Sequence, residues 1–319
     1  MSPIFSTRPV RLSVALEDIP LEKLLKSLRA TARSATLATT DLCISQVSNL
    51  LEEDTAGDWS LREHRIRVLA SFFTGTRVAA LWHQRSPRSR HASLLRAAVA
   101  VQSGFQHGRQ LPEEVVDWCA QACAAGPDDP TPWVVLIDAY RLLSYGQSDT
   151  FAAWSEVVAR DRWNRGAYLS MLEYLSPAEA GSTMQMLEFT ERVTRRAPAD
   201  AACAAVELRL HAHQFRSLQV RGGTDAVMAG HYWYEHGPQG CLDRIRETWP
   251  APGFLRHAQR LEDLNLLAYA LISANRRKQA ADVLNVINGR VTMWPWGQTE
   301  EHALSTFRTE HDRCSSLTR

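Results

Sequence analysis

Apolar residues recur along this chain at intervals of three and four, the spacing that lines one face of a helix. Leu21, Leu24, Leu25 and Leu28 form one such stripe, and Ile44, Val47, Leu50 and Leu51 form the next. Glu52, Glu53 and Asp54 close the second stripe in a polar turn. Asp58 or Ser60 then caps a third helix, because a short oxygen-bearing side chain accepts a bond from an otherwise unpaired backbone N–H. That helix is expected to bury Ile66, Leu69, Phe72 and Phe73. VAALWHQ, a proline turn at SPRS and an alanine-rich helix from His91 to about Gly104 follow. No Asn-Gly turn sits between two alternating apolar runs, so hairpin signals are missing. The pattern is helix, short turn, helix, over and over.

Such monotony predicts internal repeats. The best-formed unit begins at AGPDDPTPW, where Trp133, Leu136 and Tyr140 take the W-x2-L-x3-Y spacing of a tetratricopeptide helix A, with Ile137 where that motif prefers glycine. Gly146 supplies a turn, and FAAWSEVVARD places Ala152, Ala153 and Trp154 on the partner helix. The turn recurs about 33 to 35 residues later as ARDRWNRGAY, and more loosely as RRAPADAACA with Pro198 and Asp200. LLAYALISANRRKQAADVLNVI gives a further helix, turn and partner helix carrying Ala280, Ala281, Leu284 and Ile287. Alanine lets two helices approach closely while tryptophan or tyrosine fills the hole between pairs, so stacked pairs share one elongated core.

Three blocks carry a resemblance: LWHQRSPRSRHASLLRAAVAVQSG, RDRWNRGAYLSMLEYLSPAEAGSTMQMLEFTERVTRRAPAD and VLNVINGRVTMWPW. In these blocks, scattered over roughly residues 40–300, the chain resembles an uncharacterised bacterial family of tetratricopeptide-like helical proteins. That family commonly shows a tryptophan and a glycine pair after its L-SP element, whereas here Ala178, Glu179 and Ala180 precede Gly181. The resemblance implies a helical-repeat fold and carries no chemistry with it.

Composition narrows the classes. Hydrophobic residues at 45% and charged residues at 22% suffice for a large core, which excludes a largely disordered chain. Thirty-six basic and 35 acidic side chains leave a net charge of +1, so nucleic acid and anionic membrane are not expected partners. No apolar run approaches about 18 residues, and the first twenty residues lack a signal-peptide pattern, so no membrane segment is expected. Cys43, Cys119, Cys123, Cys203, Cys241 and Cys314 are scattered without C-x2-C spacing and read as small buried hydrophobes in a reducing cytoplasm. Lys23, Lys26 and Lys278 are the only lysines, so arginine carries the positive charge.

GHYWYEHGPQG holds the richest candidate chemistry. On one helix His231 and Glu235, four apart, share a face, but the order H-x3-E-H matches neither zinc-peptidase motif. A metal site there would need a third ligand, and His211 and His213 in LHAHQF point in different directions. No metal site and no cofactor is therefore expected. Asp128 and Asp129 sit in a proline-rich turn where Asp129 or Thr131 caps the following helix, and do not read as a magnesium–diphosphate motif. RGGTDAVMAG lacks dinucleotide-fingerprint spacing and reads as an inter-repeat loop. Arg85, Arg88, Arg90 and His91 cluster at a turn and read as solvated or paired with surface glutamates.

The expectation is an all-α, right-handed tetratricopeptide-like α-solenoid of stacked antiparallel helix pairs, with roughly twelve to fifteen helices. Residues 1–20 form a loose N-terminal arm, 21–300 a single helical-repeat domain, and 301–319 a C-terminal helix and tail. The function expected is a non-enzymatic cytoplasmic scaffold that binds a protein or peptide on its concave face. Candidate binding residues are His231, Tyr232, Tyr234, Glu235, Trp294 and Trp296, with no catalytic residue assigned. The alternative is an enzyme or small-molecule binder with a pocket of aromatic and histidine side chains enclosed by the helices.

Overall fold

A computed structural model describes residues 9–31, 37–53, 57–108 and 110–316. The chain divides into two compact units: Asp18–Met186, here the inserted unit, and Met1–Glu17 with Leu187–Arg319, here the split unit. Among the described residues there are sixteen α-helices and only two short strands, so the protein is all-α as expected.

The inserted unit contains α1 (Ile19–Thr31), α2 (Leu37–Glu52), α3 (Trp59–Phe73), α4 (Val78–Arg85) and α5 (Arg90–His107). It continues with α6 (Glu114–Ala125), α7 (Thr131–Leu142), α8 (Gln147–Arg160) and α9 (Arg165–Tyr174). Helices α3, α5, α7 and α9 pack successively on one another, while α4, α6 and α8 lie against that row. Burial follows this order. Helix α5 buries Ala92, Leu94, Leu95, Ala97, Ala98, Val99 and Val101, whereas α6 buries only Val115, Cys119 and Ala122. Fully buried alanines at 92, 97, 139 and 167 allow the backbones of the row to approach closely.

Helix α3 starts where its cap dictates: the Asp58 side chain accepts from Leu61 N at 3.0 Å. Ile66, Leu69 and Phe73 are buried and Phe72 is half-buried. Between them α3 buries two arginines, which apolar periodicity does not predict. Arg62 Nε donates to Asp129 Oδ2 at 2.6 Å, and Asp129 Oδ1 accepts from Thr131 N at 2.9 Å at the start of α7. Arg65 Nε donates to Asp18 Oδ2 at 2.6 Å, and Asp18 Oδ1 accepts from Leu21 N at 3.0 Å at the start of α1. Each aspartate thus accepts a backbone N–H at the start of one helix and neutralises an arginine of another. Pro130 takes the cap position of α7, so Asp129 holds the Thr131 N–H from one residue outside it, and Asp128 is exposed.

Trp133, Leu136 and Tyr140 all lie on α7, with Leu136 buried and the two aromatics half-buried. Tyr145 stacks on Tyr140 at 4.5 Å between ring centres, and the Arg160 guanidinium lies 5.5 Å from the Trp133 ring centre. Gly181 closes the turn after α9, where a Cβ would stand 2.2 Å from the Leu175 carbonyl oxygen, so only glycine fits.

Helix α10 (Thr183–Arg196) begins in the inserted unit and ends in the split one. The split unit contains a 3-10 turn (Ala202–Ala204), α11 (Ala205–Arg221), α12 (Gly223–Tyr232), α13 (His236–Ile245), α14 (Arg260–Ser273), α15 (Arg277–Ile287) and α16 (Glu300–Ser316). Its core gathers Leu208, Phe215, Trp233, Leu267, Leu284, Trp296 and Phe307. The helix–turn–helix expected at LLAYALISANRRKQAADVLNVI is formed by α14 and α15, which pack on each other.

Three expectations change. Residues 1–20 were expected to be loose, and residues 1–8 lie outside the described residues. Of the rest, β1 (Arg11–Leu12) pairs in parallel with β2 (Arg290–Val291), Leu16 joins the split unit's core, and Arg260 and Arg290 hold Glu17. Pairing partners nearly the whole chain apart leave no local trace in sequence. RGGTDAVMAG is not a loop: Gly222 and Gly223, at φ 70° and 57°, turn the chain where α12 begins. GHYWYEHGPQG is not one helix either. Helix α12 stops at Tyr232 and α13 starts at His236, because Pro238 inside a continuous helix would collide with the carbonyl of Tyr234.

Candidate functional site

Helices α11, α12 and α13 place the side chains with the most chemistry. The α12–α13 break separates His231 from Glu235: His231 stands on the last turn of α12, while Glu235 has extended backbone at the cap position of α13. Both are exposed, as are Tyr234 and His236, so His231 and Glu235 do not share a helix face. Tyr232 and Trp233 turn inward and are buried.

Helix α12 is amphipathic in an unusual sense, since one side is apolar and exposed. At 100° per residue, Thr224, Val227, Met228 and His231 fall on one arc, with buried Tyr232 at its edge and buried Ala229 on the far side. Val227 is 67% exposed and Met228 56%, with Tyr234 at 59% just beyond the helix and Val220 at 85% near the end of α11.

On its inner side the Tyr232 hydroxyl lies 2.8 Å from His211 Nδ1 and donates to Gln214 Oε1 at 2.6 Å. Burial raises the Tyr232 hydroxyl above its usual range and pushes the His211 imidazole down to about 4. Phe215 and Trp233 complete an aromatic cluster, with Tyr232 edge-on to Trp233 at 5.5 Å. Glu207, one turn before His211 on α11, and Cys241 on α13 approach the same imidazole. One donor atom from each of the three lies within 4.8 Å of the other two. Arg244 Nη2 donates to Glu207 Oε1 at 2.5 Å, and burial drives the Cys241 thiol far up.

Trp294 and Trp296 belong elsewhere in the split unit. Trp296 is buried, donates from Nε1 to Asn265 Oδ1 at 2.7 Å, and meets Phe307 of α16 edge-on at 5.1 Å. Trp294 is half-buried under the Arg209 guanidinium, 3.5 Å from the ring centre. An open recess of about 360 Å³ on α10 is lined by Glu188, Glu191, Arg192, Arg195 and Arg196, with no aromatic wall. Of the cysteines four apart on α6, Cys119 is buried and Cys123 half-buried with its thiol pushed up to about 12, as inert packing groups would be. Arg85 pairs with Asp41, and Arg90 Nε donates to His91 Nε2 at 3.3 Å.

Of the six candidate residues, then, His231, Tyr234 and Glu235 share the exposed α12–α13 corner. Tyr232 and Trp296 are buried, and Trp294 is intermediate. Sequence reasoning missed Glu207, Gln214 and Cys241. Glu207 and His211 are four apart on one helix and could have been read together, but Cys241 arrives from another helix. Comparison with protein-family models, curated proteins and solved structures finds no match for this chain.

Proposed function

We propose that this protein is a non-enzymatic helical-repeat adaptor of the bacterial tetratricopeptide-like kind, and that its partner is a protein segment docking on the exposed arc of α12. The observation that carries the reading is the set of large apolar side chains in water at Val220, Val227, Met228 and Tyr234. Scattered single apolar residues are ordinary at a surface, but Val227 and Met228 side by side on the exposed arc of α12, with Tyr234, His231 and Glu235 at its C-terminal end, mark an interaction site. An amphipathic helix or extended peptide with its own apolar stripe is the matching partner. The repeat reading draws support from the successive packing of α3, α5, α7 and α9, since stacked helix pairs present a concave side to such segments. A reducing cytoplasm suits the six free cysteines, and no helix among the described residues is long and apolar enough to cross a membrane.

The test is a cross-linking and affinity-capture experiment comparing the full chain with a Val227→Asp/Met228→Asp variant. These side chains are exposed, so helix content by circular dichroism should be unchanged. The expected result is a captured protein partner that the variant loses. Equal capture by both chains, or recovery only of a small molecule, overturns the reading.

A further inference from the structure

We infer that Glu207, His211 and Cys241 form a metal site in the split unit, suited to a borderline-soft divalent ion such as zinc. It lies on the inner side of the α11–α13 corner, apart from the docking arc, and does not depend on the adaptor reading. The donors are one carboxylate, one imidazole and one thiol, the set that zinc takes in proteins. Metal–ligand bonds of about 2.0–2.3 Å place tetrahedral donors about 3.5 Å apart, and the three donor atoms here already lie within 4.8 Å of one another. Small side-chain adjustments close that difference without moving a helix.

The geometry around His211 is the second observation. The Tyr232 hydroxyl gives its proton to Gln214 Oε1, so its oxygen accepts from His211 Nδ1–H. That assignment leaves the lone pair on Nε2, the nitrogen a metal would take. A ligating histidine normally has its other ring nitrogen anchored in this way. Arg244, half exposed, holds Glu207 through Oε1, and the Cys241 thiol hydrogen-bonds to the same carboxylate, so the candidate donors already meet. Gly237 is exposed and carries no side chain over the imidazole edge; a Cβ there would already be 3.8 Å from His211 Cε1. An ion can therefore approach from that side. On binding, the Cys241 thiol loses its proton to solvent, and its thiolate joins the Glu207 carboxylate in facing the charges of the ion and of Arg244.

Cobalt(II) titrated into the purified full chain is the test, with zinc added afterwards to displace it. The expected result is one equivalent bound, with visible absorption that includes a thiolate-to-cobalt band, abolished by zinc. Cys241→Ser should remove the thiolate band. Tyr232→Phe should keep the band and weaken affinity by about 10–100-fold, as loss of the group anchoring a ligand does. Glu207→Gln, at a half-buried position that tolerates the change, keeps the band and weakens binding, and guards against a misfolded cysteine variant. Absence of a stoichiometric cobalt spectrum, a thiolate band that survives Cys241→Ser in a folded protein, or unchanged affinity in Glu207→Gln overturns the inference.

Discussion

The two units solve the same problem, fixing helix and chain ends onto a packed core, with different chemistry. In the inserted unit the fasteners are ions. Helix α3 carries Arg62 and Arg65 one turn apart, and each takes an aspartate that also holds a backbone N–H at the start of another helix, Asp129 for α7 and Asp18 for α1. In the split unit the main fastener is a neutral amide. Asn265 Nδ2 donates to Leu261 O and Arg290 O, while its Oδ1 accepts from Trp296 Nε1 and Thr292 N, tying α14 to β2 and the segment after it. The buried carboxylate there, Asp263, faces the imidazole of His257 rather than a guanidinium. At the boundary both units use ions: Glu17 pairs with Arg260 and Arg290 within the split unit, but half-exposed, and its neighbour Asp18 pairs with Arg65, buried, within the inserted unit. An ionic fastener is specific because either partner alone is a bare buried charge, whereas a neutral one fails more gently.

That contrast is open to direct attack. The largest effect belongs to Arg62→Met or Asp129→Asn, each expected to cost about 3–5 kcal/mol in urea unfolding. The double variant should cost clearly less than the two singles added together. Strict additivity would mean that the pair is not coupled. Asn265→Ala should cost about 1–3 kcal/mol, chiefly by leaving the Trp296 N–H without an acceptor. Native-state hydrogen exchange should locate that loss in α14 and α16, and a loss spread over α3–α7 would contradict the assignment. Removing a single exposed cap, Asp58→Ala, should cost about 1 kcal/mol with exchange rising at the start of α3. No change there would mean that the cap is idle.

The smallest and most pH-dependent effect is at Glu63. Its carboxyl is pushed up to about 7 by burial, with Asp161 adding to the rise, despite Arg67, the hydrogen bond with Asn164 and Arg165, which all pull it down. A carboxyl raised in the folded state stabilises while protonated, so its contribution is full below the ordinary value of 4.5 and disappears as pH rises through about 7. Glu63→Gln should therefore become increasingly stabilising relative to the parent from about pH 5 to about pH 8, read as the difference in Tm. His91, held down to about 4 by burial and by Arg62, works in the opposite sense, losing stability as pH falls below 6.5. In the split unit, Glu17 is held low by its bond from Arg260, so its contribution is present above 4.5 and is lost on acidification. A Tm difference for Glu63→Gln that stays constant with pH would refute the assignment.

Much of the helical pattern is legible in the sequence because it is local. Apolar spacing of three and four residues locates α1, α3, α5, α7, α14 and α15, and two side chains that hold a backbone N–H, Asp58 and Asp129, mark two starts. Reading stops where partners are distant or where a local signal is overlooked. Pro238 announced the break that parts His231 from Glu235, and that signal was present in the sequence. The exposed arc of α12 was half legible, since His231, Tyr234 and Glu235 stood out while Val227 and Met228 passed for loop residues.

By itself the chain determined that it would be helical and where several of its helices lie, because those properties depend on neighbours three and four positions away. Only the tertiary structure decided that Arg62 meets Asp129 across 67 positions, that Arg11 and Leu12 pair with Arg290 and Val291, and that Cys241 joins Glu207 and His211. The physical reason is that packing selects such partners. Many helices carry compatible faces, and the choice among them rests on shape and on pairing buried charges, which no local spacing records.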